Sequence, residues 1–426
     1  MKNRFLGLTI WSLALLFYFF EMFLRICLGT IAEDVIHDLH LTAGQFSTIG
    51  AAYFITYGCL QLFVGLISER LGPRLTLSIS CLLCTIGVFL FSIAIDFWLA
   101  FFARLLIGFG SAFAFVSLLF LTLKWFPREH FSLISGIAIF LGAVAPVLAG
   151  GPLALLYHSL DDNWRIIMGG LTIFGIALSI CLLLFIQSKP NSQGGGIIFL
   201  QFREKVHTLV IALLKIPQVW VTLLYSAFTY VMLALFSAYW GTIFLQARGI
   251  SLTLSATVVS AIWIGYAVTS PLFGKLSDRI KRRKPFLMYP ALFSALISAA
   301  LLYLPIYSPW VLGALFFLIG AGVGGQSLTY AVILEHVPRK LHSGALGINN
   351  GATTLSPAVI PVLAGAIIQM NSTGKDFTET ALAKGLCVAP ICFFLAFLVS
   401  LFFMKETFCR QQYEMHTLHK FSDILD

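Results

Sequence analysis

Three ionisable side chains, Glu21, Arg25 and Arg104, fall in the middle of long apolar stretches of this 426-residue chain. A charge at the centre of a bilayer costs at least about 2.5 kcal/mol on insertion scales, so each should face protein and have a partner or a task. Glu21 and Arg25 are four residues apart on one helix face, and Tyr18 and Trp11 continue that face from Arg25 at seven-residue steps. Glu21 is the only carboxylate at mid-span, and all nine histidines lie in loops, tails or near span ends. Glu21 is therefore the group able to carry a proton at that depth. Arg25, released from it, could hold a substrate carboxylate or another anion through its planar fork of donors. The same spacing also suits a pair that only neutralises itself so that a polar helix stays inserted, and both readings are open at this point. Two arginines against one carboxylate leave the region positive by one charge, which suits an anion, or a zwitterion presented carboxylate first, and not a simple cation.

The elements that must position these groups follow from composition. Hydrophobic residues make up 59% of the chain and charged residues 11%, against about 25% charged in an ordinary soluble domain. A soluble fold is excluded, and the partner of the surface is a lipid bilayer. The net charge of +9 comes from short basic clusters between apolar runs, the pattern of loops beside a membrane rather than of a nucleic-acid surface. Stretches of about 20 apolar residues predict spans near 5–30, 45–68, 74–95, 97–123, 131–157 and 164–187, then 218–246, 255–276, 285–305, 310–334, 343–370 and 386–404. The expected fold is an all-α membrane protein of twelve helices. An N-terminal six-helix bundle occupies 1–187, a cytoplasmic linker 188–217, a C-terminal six-helix bundle 218–404 and a cytoplasmic tail 405–426. The linker combines a polar run, three glycines and Phe202-Arg203-Glu204-Lys205, which suits an amphipathic helix lying on the membrane.

Lys2 and Arg4 ahead of an apolar run resemble a secretory signal, but the run continues through Arg25 without a small-residue cleavage pattern and reads as a retained first span. With a cytoplasmic amino terminus, the inner loops and tails carry 21 Lys and Arg, and the outer face four: Arg165, Arg248, Lys375 and Lys384. This bias places both termini in the cytoplasm, with the cell's inner membrane as the expected location. Seven of the eight cysteines lie in apolar segments and are expected to be free thiols. Cys81 and Cys84 form a C-x-x-C with no second pair to complete a metal site, and no cofactor is expected.

The two halves share marks at nearly constant spacing. Gly65 to Arg74 reads G-L-I-S-E-R-L-G-P-R, and Gly274 to Arg283 reads G-K-L-S-D-R-I-K-R-R, an offset of 209; Phe126 to Ile137 aligns with Val337 to Ile348 at an offset of 211. A duplicated six-helix unit places a solute site between its copies at mid-depth. The paired loop signatures, Arg104-x-x-x-Gly108-x-Gly110 and Asn163-Trp164-Arg165 resemble those of the major facilitator superfamily over nearly the whole chain. Within it, F-Y-F-F-E-M-F-L-R (17 to 25) and G-F-G-S-A-F-A-F-V (108 to 116) look most like nutrient-uptake permeases of intracellular gammaproteobacteria. The resemblance implies two six-helix bundles related by a pseudo-two-fold axis, and a part for Arg104 in proton coupling or in the central site.

The loop signatures make physical sense as a latch on the cytoplasmic side, since an acid beside an arginine can pair with a neighbouring bundle in one conformation only. Asp278 and Arg279 form the second-half version, with Glu335 as the expected partner of Arg279. Glu69 and Arg70 form the first-half version, which departs from the family pattern at Glu69 and Pro73 and has Lys124 where the second half has Glu335. The alternative is that these charges only anchor loops and set topology. Tyr57, Gln326, Tyr330 and Asn350, with Tyr18, are the expected walls of a substrate cavity, among further candidates that include Tyr53, Gln61, Asn349 and Thr353.

The expected function is proton-coupled uptake of a small anionic or zwitterionic solute, such as an amino acid, peptide, organic acid or carboxylate siderophore, by alternating access of a monomer. Span seven lacks the arginine of organophosphate exchangers, and spans two and eight lack those of nitrate carriers. Leu141 to Gly150 keeps the proline and only one glycine of the efflux motif in span five, so proton-driven export is the alternative. A membrane sensor that does not transport is the alternative of another class. An enzyme is not expected, because no metal-ligand motif, carboxylate pair or activated nucleophile lies at membrane depth.

Overall fold

The computed structural model describes residues 2–61, 63–126, 131–186, 210–372 and 377–412. Among them the chain is helical, with no strand. In chain order the helices are α1 (Lys2–Thr30), α2 (Ala32–Asp38), α3 (Ala43–Leu60), α4 (Val64–Ser92), α5 (Phe97–Ser111), α6 (Ala114–Trp125), α7 (Phe131–Leu148), α8 (Gly151–His158) and α9 (Trp164–Phe185). The second half has α10 (Pro217–Ala234), α11 (Gly241–Ala247), α12 (Leu252–Ile280), α13 (Lys284–Tyr303), α14 (Pro309–Val323), α15 (Thr329–His336), α16 (His342–Asn371), α17 (Glu379–Leu386) and α18 (Val388–Leu398). Among the described residues, eleven helical stretches are long and apolar enough to cross a membrane. The remaining span, α3, is less apolar because it carries Gln45, Ser47, Thr48, Tyr53, Thr56 and Tyr57, of which Ser47, Tyr53 and Thr56 hydrogen-bond to other spans. Apolar side chains such as Phe140, Ile173, Leu184, Phe293 and Phe402 remain exposed, the surface a multi-pass membrane protein turns to lipid.

Several spans are interrupted where the sequence suggests single helices. The fourth breaks at Ala112–Phe113 between α5 and α6, and the tenth at the 3-10 turn Gly324–Leu328 between α14 and α15, so the two halves bend at corresponding places. A π turn at Leu235–Trp240 joins α10 to α11 in the seventh. In α4 the helix continues past the expected span end at residue 68, through Leu71. The helix path is left at Gly72, whose φ of 76° favours glycine, and Pro73 then starts the next helical stretch. The start of α3 is set by a capping box in which Thr42 Oγ1 accepts from Gln45 N at 3.2 Å and Thr42 N donates to Gln45 Oε1 at 2.9 Å. In α16 the helix passes through Pro357 and Pro361. Pro361 has no N–H for the Pro357 carbonyl, and the Tyr239 hydroxyl donates to that carbonyl at 2.9 Å instead.

The halves meet through α3 against α16, α7 and α8 against α12, and α1 against the π turn. Near the face opposite the termini, Gly44 N donates to Gln369 Oε1 at 3.2 Å and Trp240 Nε1 to Ser47 Oγ at 3.2 Å. Further along α3, Asn350 Nδ2 donates to Gln61 Oε1 at 3.0 Å. The eight cysteines are free. Most of the expected linker, residues 187–209, lies outside the described residues, as do the side chains of Glu69 and Arg70.

Candidate functional site

Glu21 and Arg25 face each other one turn apart on α1, as their spacing requires. Arg25 Nη2 donates to Glu21 Oε1 at 3.2 Å and to Oε2 at 3.1 Å, and neither residue is more than 5% exposed. Removing one partner of such a buried pair is expected to cost about 3–5 kcal/mol, because the other charge is left unpaired. The pair is closed by α3. The Tyr53 hydroxyl donates to Glu21 Oε2 at 2.7 Å and accepts from Arg25 Nε at 3.3 Å, and the Arg25 guanidinium lies over the Tyr57 ring at 4.6 Å. Tyr18, on the same face of α1, is also turned toward Glu21 and Arg25, as is Tyr230 of α10 from the second half.

Arg104 approaches Tyr53 from α5, with its guanidinium 5.0 Å from that ring. Its Nη1 donates to the Leu24 carbonyl at 3.0 Å, while Nε and Nη2 are buried without a partner. Each unmet donor of this kind costs about 1–3 kcal/mol, and more on a charged group. Gly108, one turn on, lets α5 reach α3: a Cβ there would collide with the Tyr53 carbonyl.

The second half answers with neutral groups. Tyr330 donates to Asn350 Oδ1 at 2.9 Å, and Asn350 reaches Gln61 across the halves. Gln326 Nε2 donates to Thr353 Oγ1 at 3.3 Å. Behind them Ser226, Thr329 and Asn349 form a buried hydrogen-bonded triangle with edges of 2.8, 2.8 and 3.0 Å. The structure thus gathers Glu21, Arg25, Tyr18 and Tyr57 into one cluster and Gln326, Tyr330 and Asn350 into another, with Tyr230 and Gln61 reaching across. Sequence reasoning passed over two contributors. Tyr53 stood only among the further candidates, behind Tyr57 of the same helix face, and Tyr230 was not singled out at all, since nothing in the spacing of aromatic residues sets either apart.

The terminal-face cluster departs from expectation. Glu335 is bound by Arg283, with Nη2 to Oε1 at 2.7 Å, and Asp278 Oδ1 accepts from Arg283 Nη1 at 2.7 Å; Arg279 is exposed. The cause is the end of α12. Lys281 adopts a left-handed φ of 56°, Ser277 Oγ donates to the Arg282 carbonyl, and the chain folds Arg283 back onto Ser277. Burial works against the Arg283 charge, but Glu335 and Asp278 outweigh it and raise its pKa, so it stays protonated. The segment after the last span completes the cluster: the Glu406 carboxylate accepts from Arg283 N at 2.8 Å and Lys284 N at 3.0 Å at the start of α13, and Thr407 donates to Glu335.

On the opposite face α2 is tied down by its acids. Asp34 accepts from the Tyr157 hydroxyl, and Asp38 from Trp164 Nε1 at 2.9 Å and Arg165 Nη1 at 2.6 Å. Burial raises the Asp34 pKa, and its Tyr157 bond does not cancel the effect. For Asp38 burial pushes the same way, but the bonds from Trp164 and Arg165 win and hold the carboxyl below its usual range. Two cavities of about 440 and 400 Å³ open beside α2, both lined by Glu33, Gln246, Ser251 and Leu252. Neither includes a residue of the Glu21 cluster.

Comparison with known proteins fits this geometry. The family model "Major Facilitator Superfamily" matches residues 14–325 and 226–413. The lysosomal dipeptide transporter MFSD1 of Pongo abelii is 23% identical over 394 residues, 87% of this chain and 82% of that protein. The membrane sensor protein UhpC of Salmonella typhimurium is 24% identical over 374 residues, covering 80% of each chain. In fold, the chain superposes on a bacterial homolog of the human lysosomal transporter Spinster, in an inward-facing and unoccupied conformation, with a TM-score of 0.73 and 13% identity over 93% of this chain and 97% of that one. Matched by the family model across nearly its full length and folded like a solved transporter, the chain is a small-solute transporter rather than an enzyme and belongs to the Major Facilitator Superfamily.

Proposed function

We propose that the protein takes up a small anionic or zwitterionic solute in exchange for no other solute, driven by protons that Glu21 carries. The observation that bears most weight is the charge balance of the buried cluster: one carboxylate against two arginines, with two donors of Arg104 unmet. A solute carboxylate supplies the missing charge and the missing acceptors together. Gln61, Gln326, Tyr330 and Asn350 offer neutral donors and acceptors to the rest of the solute from the opposite wall. Likeness to a dipeptide transporter favours a zwitterion with a free carboxylate, and the stretch from 17 to 25 favours nutrient uptake.

The way the halves touch supports alternating access. Their contacts run through α3 and α16, and through α8 and α12 near the face opposite the termini, and rocking would exchange these for contacts on the terminal face. There the Arg283, Asp278 and Glu335 cluster serves as the second-half latch, with Arg279 exposed beside it to meet the first half, where Glu69 and Arg70 are the counterparts. The protein acts as a monomer in the inner membrane with both termini cytoplasmic, the orientation that the basic loops favour.

The test is uptake into proteoliposomes under an imposed pH gradient, with radiolabelled dialanine, alanine and succinate as probes. Accumulation of a carboxylate-bearing probe that collapses with the gradient is expected; outward movement alone would support export. Likeness to the sensor UhpC favours a second reading, a receptor without flux, which predicts probe binding with no accumulation of any probe.

A further inference from the structure

We propose that Tyr53 is the positioning residue of this site, directing the incoming proton to Glu21 Oε1 and keeping Arg25 in place once the carboxylate is neutral. The inference rests on the reading of Glu21 as the proton carrier. Tyr53 is fully buried and is shared by all three charges: its hydroxyl touches Glu21 and Arg25, and its ring lies 5.7 Å from the Arg25 guanidinium and 5.0 Å from that of Arg104.

A phenol has one hydrogen to give, and here it is given to Glu21 Oε2. Oε2 also accepts from Arg25 Nη2, whereas Oε1 accepts from Nη2 alone. The freer lone pair is on Oε1, so the new O–H bond forms there and the pair passes from neutral to a single positive charge on Arg25. The Arg25 to Glu21 bonds then weaken. The bond from Arg25 Nε to the Tyr53 oxygen and the contact with the Tyr57 ring do not depend on the Glu21 charge. Arg25 is therefore retained with Nη2 free for a solute carboxylate. Without the Tyr53 hydroxyl Arg25 Nε would lose its acceptor, the guanidinium would be held by Tyr57 and Tyr230 alone, and protonation would no longer leave it aimed in the same way. The titratable groups facing Glu21 are Tyr18 and Arg25 on α1, Tyr53 and Tyr57 on α3, Cys84 on α4 and Tyr230 on α10; Arg104 on α5 approaches through the Tyr53 ring. Of these, only Tyr53 and Arg25 hydrogen-bond to the Glu21 carboxylate.

Infrared difference spectroscopy of the full chain in lipid, titrated from alkaline to acid buffer without solute, tests this. The carboxylic acid carbonyl band that Glu21→Gln removes reports Glu21 directly. Loss of a donor to a carboxylate favours its protonated form, so in Tyr53→Phe the midpoint of that band should move alkaline by about one unit, a tenfold change in proton affinity. Tyr225→Phe, a buried tyrosine bonded only to the Leu287 carbonyl, should leave the midpoint where it is. A Tyr53→Phe midpoint equal to wild type, or an equal shift in Tyr225→Phe, overturns the inference while leaving Glu21 as carrier. A wild-type spectrum with no band that Glu21→Gln removes overturns both.

Discussion

The two halves of this transporter share a frame and differ in chemistry. In the first half a buried carboxylate and two arginines meet around Tyr53. In the second, the buried interior holds the uncharged Ser226, Thr329 and Asn349 triangle, and the ion pairs stand toward the two faces instead, around Arg283 on the terminal side and between Arg248 and Glu379 on the other. A charge can change its state with a proton, whereas a closed set of neutral hydrogen bonds mainly keeps a shape. Under the proposed function, the driving step belongs to one half and the fixed wall to the other.

The largest effects should come from breaking the first-half cluster. Arg25→Ala leaves Glu21 buried without its cation and should lower stability by about 3–5 kcal/mol as well as abolish uptake. The double variant Glu21→Gln/Arg25→Gln removes the pair whole, so thermal unfolding in detergent should find it more stable than Arg25→Ala and equally inactive. If the double variant is the less stable, the pair is a structural element and the comparison loses its sharpest term.

Asn349→Ala opens the second-half triangle and takes one partner each from Ser226 and Thr329, which still bond each other and the Gln326 carbonyl, a loss of about 1 kcal/mol. Uptake by the folded fraction should keep the wild-type pH profile, and a displaced profile would mean that proton chemistry extends into the second half. Glu335→Gln keeps one acceptor oxygen for Arg283, loses the one that Thr407 uses, and removes the charge opposite Arg283. Crosslinking between the halves on the terminal face should report a changed balance of conformations, with unaltered solute affinity.

The smallest effect lies on α2, where two acids one turn apart behave in opposite ways. Asp38, whose pKa is held below the usual range by Trp164 and Arg165, stabilises the fold above the ordinary carboxylate value and loses that contribution as pH falls through its own lower pKa. Asp34, whose pKa burial raises, stabilises instead at acid pH and loses the contribution as pH rises through its raised pKa. Asp38→Asn should cost no more than about 1 kcal/mol for so exposed a pair, measured as faster hydrogen exchange over residues 32–38 at neutral pH with the difference vanishing in acid.

Much of this was legible in the residues themselves. Apolar runs foretold the spans because a bilayer demands them, and the four-residue step from Glu21 to Arg25 foretold their pairing because a helix has no other way to place them. The failures have physical causes as well. Glu335 takes Arg283 rather than Arg279 because a left-handed turn at Lys281 decides which of several adjacent basic residues folds back. The bend at Gly72, the π turn at Leu235–Trp240 and the help that Tyr239 gives the Pro357 carbonyl are tertiary outcomes. Tyr53 carries no mark in the sequence that Tyr57 lacks, and only the packed fold brings its hydroxyl to Glu21 and Arg25 and its carbonyl to Gly108.

The claim that the first half drives transport through Glu21 is tested most directly by comparing two modes of the same variant in proteoliposomes: accumulation of a transported probe under a pH gradient, and counterflow of that probe with no gradient. Glu21→Gln is predicted to keep counterflow and lose accumulation. If Glu21→Gln still accumulates the probe against its gradient with the wild-type pH dependence, Glu21 does not carry the proton.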